Sequence, residues 1–198
     1  SAQAACNGAT VNVPFSGFVA GTVYEWTNNN TAIGLAASGT GNLNFTATNS
    51  TNAPITANIV VLPKYTGSGI TCTGTPISFT ITINPTPTVN AVASETLCSG
   101  SATTAVAFSG AVTGTVYNWT NSNTAIGLGA SGTGNISFTA TNPGPGNIQV
   151  NYIVTATDPV TGCINTDTTN NITVYPAILP PTVTNSAHCG IQVPTATA

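Results

Sequence analysis

Charge is almost absent from this sequence. Only 3% of its 198 residues are Asp, Glu, Lys or Arg, against about 25% in an ordinary soluble domain. Arginine is missing and Lys64 is the sole lysine. One cation cannot neutralise a run of phosphates, so nucleic acid and anionic membrane surfaces are excluded as partners. Long apolar runs are missing too. No stretch approaches the roughly 18–20 residues that cross a bilayer as a helix, so membrane insertion is not expected. Methionine is absent, and the opening SAQAAC has neither the basic start nor the apolar core of a signal peptide. The chain therefore reads as a mature product or a piece of something longer. The one histidine is His188, beside Cys189, and no CxxC pair occurs. Structural zinc wants four converging ligands, often in close pairs, so no metal or cofactor is expected.

What is present is short and alternating. At 41% hydrophobic the chain has enough apolar matter for a core, and its low charge removes the usual reason to stay unfolded. TVNVPF (Thr10–Phe15), LNFTAT (Leu43–Thr48), ITANIVVL (Ile55–Leu62) and ISFTITI (Ile77–Ile83) alternate apolar with small polar residues. This is the period of a half-buried strand, and β-branched and aromatic residues dominate it. Gly, Asn and Ser clusters such as ASGTGN separate the runs. No window offers an amphipathic helix. Short strands with frequent turn signals predict β-sandwiches.

The strongest signal is an internal repeat. Val23–Asn49 and Val116–Asn142 are 27-residue stretches that differ at five positions. Trp26 and Trp119 are 93 apart, Cys6 and Cys98 are 92 apart, and Cys72 and Cys163 are 91 apart. The period suits one small domain rather than a solenoid unit. AHCGIQVP (Ala187–Pro194) sits where TLCSGSAT and AACNGATV sit in the other copies. The expected organisation is a first repeat over 1–89, a second over 90–183 and the opening strand of a truncated third over 184–198. Proline-rich INPTPTV (Ile83–Val89) and VYPAILPPTV (Val174–Val183) close the two full repeats and favour extended, semi-rigid connections.

The cysteines fall two per repeat, with Cys189 left over. The simplest pairing is Cys6 with Cys72 and Cys98 with Cys163, each within its own repeat. The order Cys, Trp, Cys is that of immunoglobulin-type sandwiches, where a buried Trp packs near an inter-sheet disulfide. Trp26 and Trp119, with Tyr24 and Tyr117 two residues earlier on the same face, are expected in the cores. Disulfides imply an oxidising, extracellular setting.

Catalysis finds little to work with. A nucleophile needs a base in reach, and the only His lies in the truncated third copy. Glu25 becomes Asn118 in the second copy, and Asp158 and Asp167 have no acidic counterparts in the first. A duplicated catalytic site would keep its acid twice, so no enzyme is expected and no catalytic residue is assigned. Calcium wants six to eight oxygens; Asp158 and Asp167 with backbone carbonyls could offer only a weak site, and the preferred reading is solvated loop acids. An isopeptide bond at Lys64 would have only Glu25 to assist it and could not recur in the second copy.

The pattern YxWTNxNTAIGLxASGTGNxxFTATN, followed by a strand, a TGC or TCTGTP segment and a closing NPTPTV, resembles the PKD-like and Ig-like repeats of giant Bacteroidota surface proteins. Those proteins often carry a type IX secretion, gliding-motility-associated C-terminal domain. The resemblance covers both full repeats. It departs from ordinary PKD domains at the WDFGDG turn, here WTNNNTAIG. It implies tandem Ig-like or PKD-like sandwiches in an extended extracellular array with adhesive or filament-forming roles. It also singles out Asp167-Thr168-Thr169, which resembles the O-glycosylation motif of the same bacteria, with Thr168 as acceptor. Asn-x-Ser/Thr triplets begin at Asn29, Asn44, Asn49, Asn118, Asn135 and Asn171.

Edge strands normally carry charges that block edge-to-edge pairing, and these strands carry almost none. The reading is a structural, non-enzymatic repeat segment of a cell-surface adhesin or filament. Its expected partners are neighbouring copies or repeats, engaged through strand edges or a donated strand. The alternative is a glycan-binding module that presents aromatics to surface glycans.

Overall fold

The computed structural model describes residues 2–182, with the backbone alone described at 168–170. The expected third opening strand (184–198) and Cys189 lie outside the described residues. The first repeat contributes β1 (Gln3–Cys6), β2 (Thr10–Val13), β3 (Val23–Asn28), β4 (Ser38–Thr40), β5 (Leu43–Thr46), β6 (Ile55–Gly67), β7 (Ile70–Thr73) and β8 (Ile77–Asn84). The second contributes β9 (Glu95–Cys98), β10 (Val116–Asn121), β11 (Ser131–Thr133), β12 (Ile148–Thr157) and β13 (Ile164–Tyr175). A single 3-10 turn follows β3 at Thr31–Ile33 and another follows β10 at Thr124–Ile126. The fold is all-β, an Ig-like sandwich architecture.

Strand alternation sets the layers. Along β6, Ala57, Ile59 and Val61 are buried while the intervening residues face outward, because successive side chains leave opposite faces of a strand. The main sheets have matching orders: β1-β8-β6-β3-β4 in the first repeat, with β7 on the far end of β6, and β9-β13-β12-β10-β11 in the second. Opposite the first lies the β2–β5 pair. The same layer of the second repeat is reduced to the bridges Ala102–Thr139 and Val106–Ile136. Both main sheets end in a parallel pair, β1 on β8 (Cys6 beside Asn84) and β9 on β13 (Cys98 beside Tyr175). These edge strands are four residues long and the opposite edges, β4 and β11, three. Short edges are one way to limit lateral pairing without charge.

Two cores result, one built on Val11, Ile33, Leu43, Ile59, Ile81 and their neighbours, the other on Ile126, Ile136, Tyr152, Val154, Val174 and theirs. Trp26 and Trp119 are each 8% exposed. Each indole lies over a glycine of the neighbouring strand: a Cβ on Gly39 would sit 2.8 Å from Trp26 Cε2, and one on Gly132 would sit 2.7 Å from Trp119 Cε2. Neither indole N–H has an acceptor among the described residues. Tyr24 and Tyr117 are half-buried against the cores, with Phe15 and Phe108 ring centroids 5.7 and 6.0 Å away.

The repeated stretch also supplies the polar interior. Asn28 donates to the Leu35 carbonyl at 2.9 Å, and Asn121 to that of Leu128 at 3.0 Å. Asn49 donates to Ile83 and Ala53, and Asn142 to Val174 and Gly146, at 2.8–2.9 Å. All four are buried, and unpaired carbonyls at these depths would be costly. The 3-10 turns are capped alike. Asn30 accepts from the Ala32 amide and Asn123 from the Ala125 amide, and Gly34 and Gly127 close the turns at φ 93° and 91°, a region that favours glycine.

Candidate functional site

The junction between the repeats gathers the chemistry. It holds a disulfide that sequence reasoning did not anticipate. Cys6 is bonded to Cys163, with Cα atoms 5.6 Å apart, while Cys72 and Cys98 are free and exposed. The pairings within each repeat, Cys6–Cys72 and Cys98–Cys163, are thereby corrected. The reason is sheet geometry. Cys6 lies beside Asn84, at the end of the sheet where β6 begins, since Ile83 pairs with Ile55. Cys72 pairs with Tyr65 near the other end of β6. Ten residues of strand separate these levels by roughly 33 Å, and a disulfide needs Cα atoms within about 7 Å. In the second repeat, Cys98 lies beside Tyr175 and Cys163 immediately precedes Ile164, at opposite ends of β13. A cysteine at the tail of one repeat therefore meets one at the head of the next.

The residues between the repeats are held by specific contacts. The Asn90 amide donates to the Ser109 carbonyl at 2.8 Å, and its side chain donates to Ser109 Oγ at 3.1 Å. The Ala111 amide donates to Thr88 Oγ1 at 3.1 Å, and the Tyr117 hydroxyl to the Thr88 carbonyl at 3.5 Å. Burial pushes the Tyr117 phenol up, and its hydrogen bond with Thr115 offsets part of that shift. Gly110 lets Thr88 approach: a Cβ there would overlap the Thr88 carbonyl oxygen and sit 2.7 Å from the Tyr117 hydroxyl. Pro87 is fully buried and Val89 packs against the second core.

Asp158 builds the turn that carries Cys163. Its carboxylate accepts from the Val160 amide at 3.0 Å and the Thr161 hydroxyl at 2.7 Å. The Asp158 amide donates to the Cys163 carbonyl at 2.9 Å, and the Gly162 amide to the Asp158 carbonyl at 2.8 Å. The Thr161 hydroxyl, then the Val160 amide, hold the carboxyl below its ordinary value, against a smaller opposing effect of burial. Asp167 pairs across the ladder with Val154. Among the described residues no three His, Cys, Asp or Glu side chains gather to hold a metal.

The matching head end of the first repeat is open. A cavity of about 620 Å³ there is lined by Phe15, Tyr24, Pro63, Tyr65 and Cys72, among others. Lys64, on its rim, forms an ion pair with Glu25 at 2.5 Å on a partly exposed surface. Thr168 lies in β13 opposite Ile153. Asn49 is 5% exposed and both its amide hydrogens are engaged, which removes it as a glycan acceptor in the folded protein. The sequence held a signal for the junction in the cysteine spacings alone, which fit either connectivity.

No protein-family model matches the chain, and no curated protein matches it. It is similar in fold to the fibronectin(III)-like modules of Clostridium thermocellum CbhA, at 14% identity over 95% of this chain and 96% of that one, with a TM-score of 0.35. It is also similar to the insect immune protein hemolin, at 13% identity over 98% of this chain and 51% of hemolin, with a TM-score of 0.38. A third is mouse cadherin-23 EC22-24, at 11% identity over 89% of this chain and 63% of that one, with a TM-score of 0.36. Likeness at this level carries no functional argument. Among the described residues no helix is long and apolar enough to cross a membrane.

Proposed function

We propose that this chain is a non-enzymatic structural segment of an extracellular array, part of a surface adhesin or filament of the Bacteroidota type. Its units are the repeats 1–89 and 90–183, followed by the opening of a third at 184–198. The observation that carries the reading is the Cys6–Cys163 bond, which joins two repeats rather than bracing one. Such a bond suits a chain whose task is to hold domains in line, and its survival implies an oxidising setting. The rest of the repeated stretch is spent on architecture: Trp26 and Trp119 in the cores, Asn28, Asn49, Asn121 and Asn142 on buried carbonyls. The partners that fit are neighbouring repeats or copies. With edge strands of three or four residues, contact at the ends of the repeats has more surface to use than lateral pairing.

The glycan-binding alternative has no support from the tryptophans, which lie buried over Gly39 and Gly132. Trp26→Ala should unfold the first repeat rather than abolish sugar binding in an intact fold. The structural reading is tested by genetically concatenated repeats viewed by electron microscopy. Contour length should rise linearly with repeat number in stiff, straight particles. Dispersed flexible strings under native conditions would overturn it.

A further inference from the structure

The Cys6–Cys163 bond short-circuits the chain. The two cysteines are 157 apart in sequence and 5.6 Å apart at Cα, so residues 7–162 form a closed loop hanging from one covalent staple. Tension that enters upstream of Cys6 and leaves downstream of Cys163 crosses between the repeats through sulfur and never enters that loop. What stays on the loaded path is strand: β1 ends at Cys6, and β13 begins at Ile164, directly after Cys163. A strand already rises about 3.3 Å per residue, close to the reach of a fully extended chain at about 3.3–3.6 Å. Pulling on the two ends of such a strand adds almost no length, so the load does almost no work on it. Strands β2 to β12 hang off the path, Trp26 and Trp119 with them. Pairing within each repeat would act differently. Cys6–Cys72 and Cys98–Cys163 would leave residues 72–98 under load. That span holds β8, which lies between β1 and β6 in its sheet. It also holds Thr88 and Asn90, whose hydrogen bonds to Ala111 and Ser109 seat the second repeat. The staple is fixed at both ends. The Asn7 amide donates to the Asn84 carbonyl and the Asp158 amide to that of Cys163, each at 2.9 Å. Cys163 is 1% exposed, which limits attack by solvent thiols.

We propose that the Cys6–Cys163 bond is a tension bypass: it carries load along the chain past both cores and the junction between them, so that they neither unfold nor separate under force. The inference rests on the structural reading above and gives the bond a mechanical task within the array. The length it withholds is set by the loop. A separation of 157 residues, fully extended, is roughly 500 Å. With the bond intact that length is out of reach of any force the bond withstands. Without it the peptide chain is the only path, and it runs through β8, the linker and β12. Those elements are held by strand ladders and side-chain packing, which yield where a covalent bond does not.

The test is single-molecule stretching of the full chain, held by peptide tags at its two ends so that attachment uses no thiol. Cys72→Ser, Cys98→Ser and Cys189→Ser leave one bond to form, and proteolytic mapping establishes whether it has formed. Oxidised molecules should stretch without unfolding steps until a tag gives way. The same preparation, folded first and then treated with a phosphine reductant, should unfold in two steps. Together these should add roughly 500 Å beyond the oxidised length. Adding Cys163→Ser should give the two steps with no reductant, and reduction of the already folded protein answers the question should that variant fold poorly. Oxidised molecules that lengthen by the same steps, reduced molecules as inextensible as oxidised ones, or Cys6 and Cys163 that stay free under oxidation would overturn the proposal. The stretching outcomes leave the unloaded contour length of genetically concatenated repeats untouched, so failure here is separable from failure of the structural reading.

Discussion

The two repeats share a stretch with five changes in 27 residues, yet their head ends differ sharply. In the first, β6 runs on to Gly67 and folds back through Ser68 and Gly69, at φ 51° and 81°, into β7, leaving Cys72 exposed. In the second, β12 stops at Thr157, Asp158 ties a tight turn, and Cys163 is buried in its disulfide. The cores are nearly superimposable in content while the ends follow what covers them. The interior of such a repeat specifies the fold, and its ends specify the neighbour.

The comparison breaks most severely at the tryptophans. Trp119→Ala and Trp26→Ala should each cost about 3–5 kcal/mol, as large-to-small changes in a core do. Each should unfold its own repeat first, seen as two separate transitions in denaturant. With no acceptor for either indole N–H among the described residues, Trp→Phe should cost markedly less.

The junction disulfide comes next. Cys163→Ser should cost about 2–4 kcal/mol, read from the midpoint of denaturation. Cys72→Ser, at the equivalent position, should change stability by less than about 0.5 kcal/mol, as an exposed site would. Equal effects of the two substitutions would erase the distinction between closed and open heads.

Gly39→Ala and Gly132→Ala should each cost about 1–3 kcal/mol through overlap with the indoles, read from the midpoint of chemical denaturation. These glycines show how far the sequence was legible. The alternating runs around Trp26 and Ile59 fixed strands and an inward face, since a one-residue shift would turn every apolar side chain outward. What alternation does not encode is which end of the sheet a residue occupies. Cys6 and Cys72 looked like partners because both belong to one repeat. Only the parallel pairing of β1 on β8 places Cys6 at the end away from Cys72, and parallel pairing leaves no local turn signal. The buried asparagines were hidden for a related reason: Asn49 heads an Asn-x-Thr triplet, and its partner carbonyl on Ile83 is 34 residues away.

A smaller loss than at the tryptophans or the disulfide is expected at Asp158. Asp158→Ala should cost about 1–2 kcal/mol by unpairing the turn, where Tyr65→Ala in the first repeat should cost less. Asp158's folded pKa is lowered, so its stabilisation is full above the ordinary carboxylate value of about 3.9. It is lost as pH falls through the lower folded value. The gap between wild type and Asp158→Ala should therefore close as pH is lowered from about 5 towards 2, measured by denaturation at each pH.

The most direct measurement is the partner of Cys6, found by non-reducing proteolysis and mass spectrometry of the oxidised monomer. A Cys6–Cys163 cross-linked peptide, with Cys72 and Cys98 still alkylatable, is the expected result. Cys6 linked to Cys72 and Cys98 linked to Cys163 would contradict it, returning each disulfide to its own repeat and leaving the junction without its bond.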